Sequence, residues 1–222
     1  MLINIRQRLD NLKAISSLAI FIAAPTKLDS VFKVALALKN SDLSNRMKEI
    51  LLSDPQMQEM VEKRWQPQHK TLEELKALPQ GTLGYLYANQ LLSLGLSPDD
   101  LLPKEPVVTD DDYIELRLRQ THDIVHVLTG FGTNPVGEIG LQAFNLASYK
   151  APLAALLIFG SIIRVLKSSE SIIDIDALLV AISKGFIIGE KSKLLVSQKL
   201  EEQWERNIED LRREYNIEIK GE

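Results

Sequence analysis

Two of the chain's three histidines stand four residues apart in Thr121-His122-Asp123-Ile124-Val125-His126. On an α-helix this spacing puts both imidazoles on one face about one turn apart, with Asp123 roughly 100° round from His122. Neutral imidazole nitrogens and a carboxylate oxygen offer lone pairs, and a rigid helix fixes their separation, so the pattern suits a metal centre. A further carboxylate follows. Residues 130–134 read as a turn, Pro135 as a helix start, and Glu138 lies one turn into that helix. In an antiparallel pair, His126 would sit ~6 Å of axial rise before the turn and Glu138 ~4–5 Å after it, at similar heights. His122, Asp123, His126 and Glu138 would then offer two nitrogens and two carboxylates. That set suits zinc, iron, manganese or cobalt better than calcium, with magnesium as a substitute in vitro. The bland alternative is an HxxxH pair that is surface or satisfied core polarity.

Other chemistries find less support. The chain has no cysteine, which removes thiolate metal sites, disulfides and a cysteine nucleophile. No GxSxG elbow accompanies the histidines. Gly130-Phe131-Gly132-Thr133-Asn134-Pro135-Val136-Gly137 has the wrong spacing for a dinucleotide loop and follows a helix, not a strand. His122-Asp123 also suggests an HD phosphohydrolase, but the other ligands of that class are not convincingly placed.

Around the candidate ligands, Arg119 falls three residues before His122 and four before Asp123. It is either an anion contact and partner to the ligands, or a solvated arginine. Glu138, Gln142, Asn145 and Tyr149 recur at helical spacing as a polar stripe. It is either the wall of a liganded pocket or a surface face. Leu153–Ile163 and Ile172–Ile188 are apolar almost all round, as core helices would be, or as the wall of a hydrocarbon tunnel or a subunit contact.

The elements positioning these residues read as helices near 5–22, 27–39, 42–52, 55–63, 72–78, 82–94, 110–129, 135–159, 172–188 and 197–214, with Pro152 kinking the eighth. Asp54-Pro55, Ser97-Pro98-Asp99-Asp100 and Thr71…Glu74 are start signals, while Gly95 and Gly130 are stops. Strand evidence is confined to Ile217-Glu218-Ile219. The segment 102–109, broken by prolines, reads as an extended connection within one domain. The expected fold is an all-α, single-domain helical bundle over residues 1–222. At 222 residues, 45% hydrophobic and 25% charged, the chain can bury a real core.

The net charge is −4, which lacks the basic footprint of a nucleic-acid binder. Residues 1–48 carry +5, eight Lys/Arg against three Asp, and 98–115 carry −6, seven acids against Lys104. The basic region either faces an anionic membrane or is simply solvated. No segment reaches the ~20 apolar residues of a membrane span.

His122-Asp123-x-x-His126, eleven residues and Glu138 together resemble the HDxxH-x11-E signature of the coenzyme Q (ubiquinone) biosynthesis protein four family. Leu78-Pro79-Gln80-Gly81-Thr82-Leu83-Gly84-Tyr85-Leu86-Tyr87 is similar to that family's LPxxTxGxxY segment. Arg117-x-Arg119, Leu128-Thr129-Gly130-Phe131, Gly137-Glu138-Ile139 and Trp204-Glu205 with Leu211-Arg212-Arg213 extend the likeness. The resemblance implies one divalent metal on the four motif residues and an apolar tunnel for an isoprenoid lipid or prenylated quinone precursor. It implies oxidative decarboxylation, carboxyl to hydroxyl at ring C1, of a polyprenylated hydroxybenzoate. The ligand set suggests a mechanism in which Arg119 offsets the carboxylate charge before carbon dioxide leaves. The alternatives are a non-catalytic scaffold for other quinone-biosynthesis proteins with a structural metal, and a metal-dependent hydrolase. Contact with a membrane surface and homodimerisation are further expectations. The expected location is cytoplasmic, peripheral to the inner membrane surface, for a bacterial-type chain without a targeting sequence.

Overall fold

The structure, a computed structural model, describes residues 41–103, 105–167 and 174–219. The helices expected at 5–22 and 27–39 lie outside them. The described residues hold nine α-helices and no strand, so the expected all-α class is what is found. In order they are α1 (Asp42–Leu52), α2 (Pro55–Lys63), α3 (Leu72–Lys76), α4 (Leu83–Leu94), α5 (Asp110–Thr129), α6 (Pro135–Tyr149), α7 (Pro152–Lys167), α8 (Ile175–Lys191) and α9 (Ile208–Glu214). Two short 3-10 turns, Leu195–Ser197 and Leu200–Glu202, precede α9.

Caps written in the sequence set most of these boundaries. Asp54 accepts from the Gln56 N–H at 2.8 Å, and Pro55 opens α2 with the preset φ that a first helical position favours. Thr71 and Glu74 form a reciprocal capping box at the start of α3. Asp100 accepts from the Ser97 N–H at 2.7 Å and the Ser97 hydroxyl from the Asp99 N–H at 3.3 Å, but only a turn follows because Pro103 stops propagation.

Two expected helices differ. The span 135–159 is not one kinked helix. α6 ends at Tyr149, Lys150 takes a left-handed φ of 58° as its cap, and Pro152 opens α7. Proline lacks the N–H that a continuing helix needs and disfavours helical backbone at Ala151, so the chain stops and restarts. The span 197–214 is α-helical only over α9. Upstream of it, the Trp204 and Arg206 carbonyls accept from the Gly84 and Leu83 N–H groups, both at 2.9 Å. Those two acceptors serve the first turn of α4, where a continuing helix would have turned them to its own N–H groups. Asn207 then caps α9 by accepting from Glu209 N at 2.8 Å.

The chain falls into two compact units, each assembled from two stretches of sequence. Residues 1–50 with 132–190 make one, and 51–131 with 191–222 make the other. In the first, Ile139, Leu157 and Leu178 form a buried cluster joined by Val136, Leu153 and Ile182. Gly185 and Gly189 let the α8 backbone approach α6 closely, since a Cβ at Gly185 would meet Gly140 O at 2.1 Å. α7 and α8 are not buried all round, as their composition suggests. Phe159, Leu166, Leu179 and Phe186 are largely exposed, and Leu166 keeps 75% of its surface. In the second unit, Met57, Leu83, Leu91, Tyr113, Leu128 and Leu211 are fully buried.

Candidate metal centre

α5 carries the two histidines. Thr109 and Asp112 cap its start reciprocally, and Asp110, Asp111 and Asp112 place negative charge where the helix dipole favours it. Gly130, at φ 73°, ends it in a left-handed conformation that a residue with a Cβ adopts only at a cost. Midway along, Arg117 is wholly buried. Its guanidinium donates to both oxygens of Glu201 at 2.6 and 3.2 Å and lies 5.0 Å over the Trp65 ring. This fork-to-carboxylate pair ties the middle of α5 to the second 3-10 turn.

One turn further on, the His122 and His126 rings meet edge to face, with centroids 4.8 Å apart. His126 keeps 1% of its surface. Its Nδ1 lies 2.9 Å from the Phe131 carbonyl oxygen. A carbonyl only accepts, so Nδ1 carries the proton and Nε2 presents the lone pair. This is the arrangement that fixes a ligating histidine's tautomer.

Glu138 stands in the first turn of α6. Asn134 accepts from Gly137 N at 2.8 Å, and Pro135 is the first helical residue. Gly137 sits against the backbone of Gly132, where a Cβ would meet the carbonyl oxygen at 2.0 Å. The turn therefore closes only with glycine at 137. Gly137→Ala is expected to cost about 1–3 kcal/mol, the range for forced overpacking, read as a lowered urea midpoint. An unchanged midpoint would show that the turn yields freely.

One atom from each of His122, His126 and Glu138 lies within 4.8 Å of the others, and the group could hold a metal ion. Two imidazoles and a carboxylate fit a borderline divalent cation. Asp123 is not in this cluster. It is half-buried on α5, one residue and therefore about 100° away from His122. Arg119 donates to the Leu101 carbonyl at 3.2 Å and pairs with Glu115 one turn earlier. Gln142 and Asn145 are half-buried and Tyr149 is buried, which pushes its phenol above the ordinary tyrosine range.

Tyr87 is a residue the motif reading passed over. It is buried on α4 and tilted against the Trp204 ring at 5.0 Å. Burial raises its pKa first, and the charge of Asp123 raises it further, so it stays a neutral hydrogen-bond donor. The available signal was its place as the tyrosine closing the Leu78…Tyr87 segment.

The family profile described as coenzyme Q (ubiquinone) biosynthesis protein Coq4 matches residues 3–220. The chain belongs to the Coq4 family. Among its curated Coq4 relatives, the mitochondrial ubiquinone biosynthesis protein of Coccidioides immitis (strain RS) is 33% identical over 178 residues. The match covers 78% of this chain and 60% of that protein. The counterpart in Botryotinia fuckeliana (strain B05.10) is 30% identical over 211 residues, covering 92% of this chain and 72% of that one. A crystal structure from Nostoc punctiforme PCC 73102 that carries a provisional ubiquinone-biosynthesis name has a TM-score of 0.82 and 30% identity. It covers 94% of this chain and 99% of that one. The expected cytoplasmic, bacterial-type location is overturned, because the curated Coq4 relatives are named as mitochondrial. Among the described residues no helix is long and apolar enough to cross a membrane.

Proposed function

We propose that this chain is a cation-dependent enzyme of ubiquinone-type biosynthesis. It replaces the ring C1 carboxyl of a polyprenylated hydroxybenzoate with hydroxyl. The carbon–carbon bond to the carboxyl breaks and carbon dioxide leaves, a carbon–oxygen bond forms to an oxygen from water, and dioxygen takes the two electrons and two protons released to become hydrogen peroxide. The observation carrying this reading is the grouping of His122, His126 and Glu138 in a chain of the Coq4 family. Asp123 is the proposed fourth ligand. A bound cation would supply Lewis acidity and, for iron, manganese or cobalt but not zinc, a change of oxidation state.

The chain's own residues supply the rest. The Phe131 carbonyl holds the proton on His126 Nδ1 and keeps Nε2 as a donor atom. Tyr87 offers a neutral phenol to an anionic ring substituent. Arg119, steadied by Glu115 and the Leu101 carbonyl, is the proposed counter-charge to the substrate carboxylate. Gln142, Asn145 and Tyr149 are proposed to orient the ring's oxygen substituents. The exposed apolar side chains of α7 and α8, Phe159 and Leu166 with Leu179 and Phe186, supply surface for the isoprenoid tail.

The test is purified protein loaded with iron, manganese or cobalt and given a prenylated 4-hydroxybenzoate in air. Mass spectrometry should show the carboxyl lost and a hydroxyl gained. Tight binding of the lipid with no change in its mass under all three metals would overturn the enzyme reading in favour of a scaffold.

A further inference from the structure

The C-terminal turn of α5 is held by a residue that the ligand motif does not contain. The last four carbonyls of a helix lack partners within it. In α5 the His126 carbonyl accepts from Gly130 N at 2.9 Å. The next two are served from 84 and 85 residues away. Arg212 Nε donates to Leu128 O at 2.9 Å, and its Nη2 donates to Val127 O at 3.1 Å. Its Nη1 is anchored on Glu209 at 2.6 Å. A planar guanidinium thus makes a two-pronged cap on the carbonyl end of the helix, where a positive charge is also favoured by the dipole. The Gly130 turn is pressed from the same segment, since a Cβ there would lie 3.0 Å from Ile219 Cδ1.

These contacts fall on the five residues that follow His126. Its ring is oriented by Phe131 O, which lies just past the turn, and Arg212 grips the two residues between His126 and Thr129. We propose that Arg212 is a positioning residue for the cation site, acting through the α5 C-terminal turn to hold the His126 ring at its Phe131 contact. The proposal rests on the reading that His126 is a metal ligand. Charge alone does not suffice for this task. Lysine offers a single point of donation and covers one carbonyl at a time, whereas the guanidinium fork fixes two with one rigid plane.

The experiment is a cobalt(II) titration of the full chain, following the visible d–d bands and the dissociation constant, with thermal unfolding of the metal-free protein beside it. The proteins compared are wild type, Arg212→Ala, Arg212→Lys and Arg213→Ala. Arg213 is 75% exposed and pairs with Asp210 on the same helix, so it controls for loss of a neighbouring positive charge. Arg212→Ala should weaken cobalt affinity by about tenfold, the low end for groups that orient a ligand, and shift the bands. Arg212→Lys should recover part of the affinity, and Arg213→Ala should match wild type. Wild-type affinity and spectrum in folded Arg212→Ala would overturn the proposal. Should that variant fail to fold, Arg212→Lys decides, and a wild-type titration from it overturns the proposal equally. If wild type itself binds no cobalt, it is the assignment of the ligands that fails, a distinct result.

Discussion

Replacing His126 with alanine should cut cobalt(II) affinity by more than the roughly 100-fold that marks the upper end for outer partners of a metal ligand. His126 is the most buried of the three clustered residues, and Phe131 O fixes which of its nitrogens faces a cation. Its loss removes a donor atom that no rotamer of alanine replaces. The same change leaves Phe131 O without its donor, costing about 1–3 kcal/mol in folding. The affinity change should therefore exceed anything explained by stability. Elemental analysis after dialysis reads the outcome. A variant that retains its metal would remove His126 from the ligand set.

The largest effect on folding is expected at Arg117 and Glu201. Their side chains are 0% and 6% exposed and are joined at 2.6 Å. Removing one partner strands the other charge in the interior, a penalty of about 3–5 kcal/mol. Glu201→Ala should therefore lower urea-derived stability by that amount. Replacing both, as Arg117→Met with Glu201→Leu, should restore most of it, because an apolar pair carries no desolvation debt. A single-variant loss below about 1 kcal/mol would show that solvent reaches the guanidinium.

The difference between these two sites tracks what a sequence makes legible. Helix starts and stops were readable where the signal is local. Asp54-Pro55, Thr71 with Glu74, and the glycines at 95 and 130 act on backbone groups within a few residues of themselves. The imidazole pair was readable for the same reason, since four-residue spacing on a helix fixes which side chains are neighbours. Asp123 shows the limit. It stands one residue, and so about 100° of helix, from His122, and lies outside the group of His122, His126 and Glu138, so four-residue spacing does not by itself bring it to them.

Residues 197–214 failed for the opposite reason. Their charge and apolar spacing suit a helix, but the Trp204 and Arg206 carbonyls are claimed by α4, more than a hundred residues earlier. No window along the chain contains that competition. Arg212 and Glu201 were obscure in the same way. Their partners, the α5 carbonyls and Arg117, lie 84 or 85 residues distant.

The discontinuous build of the second unit also sets an order in time. Arg117 leaves the ribosome 84 residues ahead of Glu201. At ~5–20 residues per second, that separation is roughly 4–17 s of synthesis. Throughout it the nascent α5 has neither a carboxylate for its inward-facing cation nor a guanidinium on its terminal carbonyls. The closing segment is thus a late fastener, and a ribosome that stops short of it releases a chain whose histidine helix has been made but not locked.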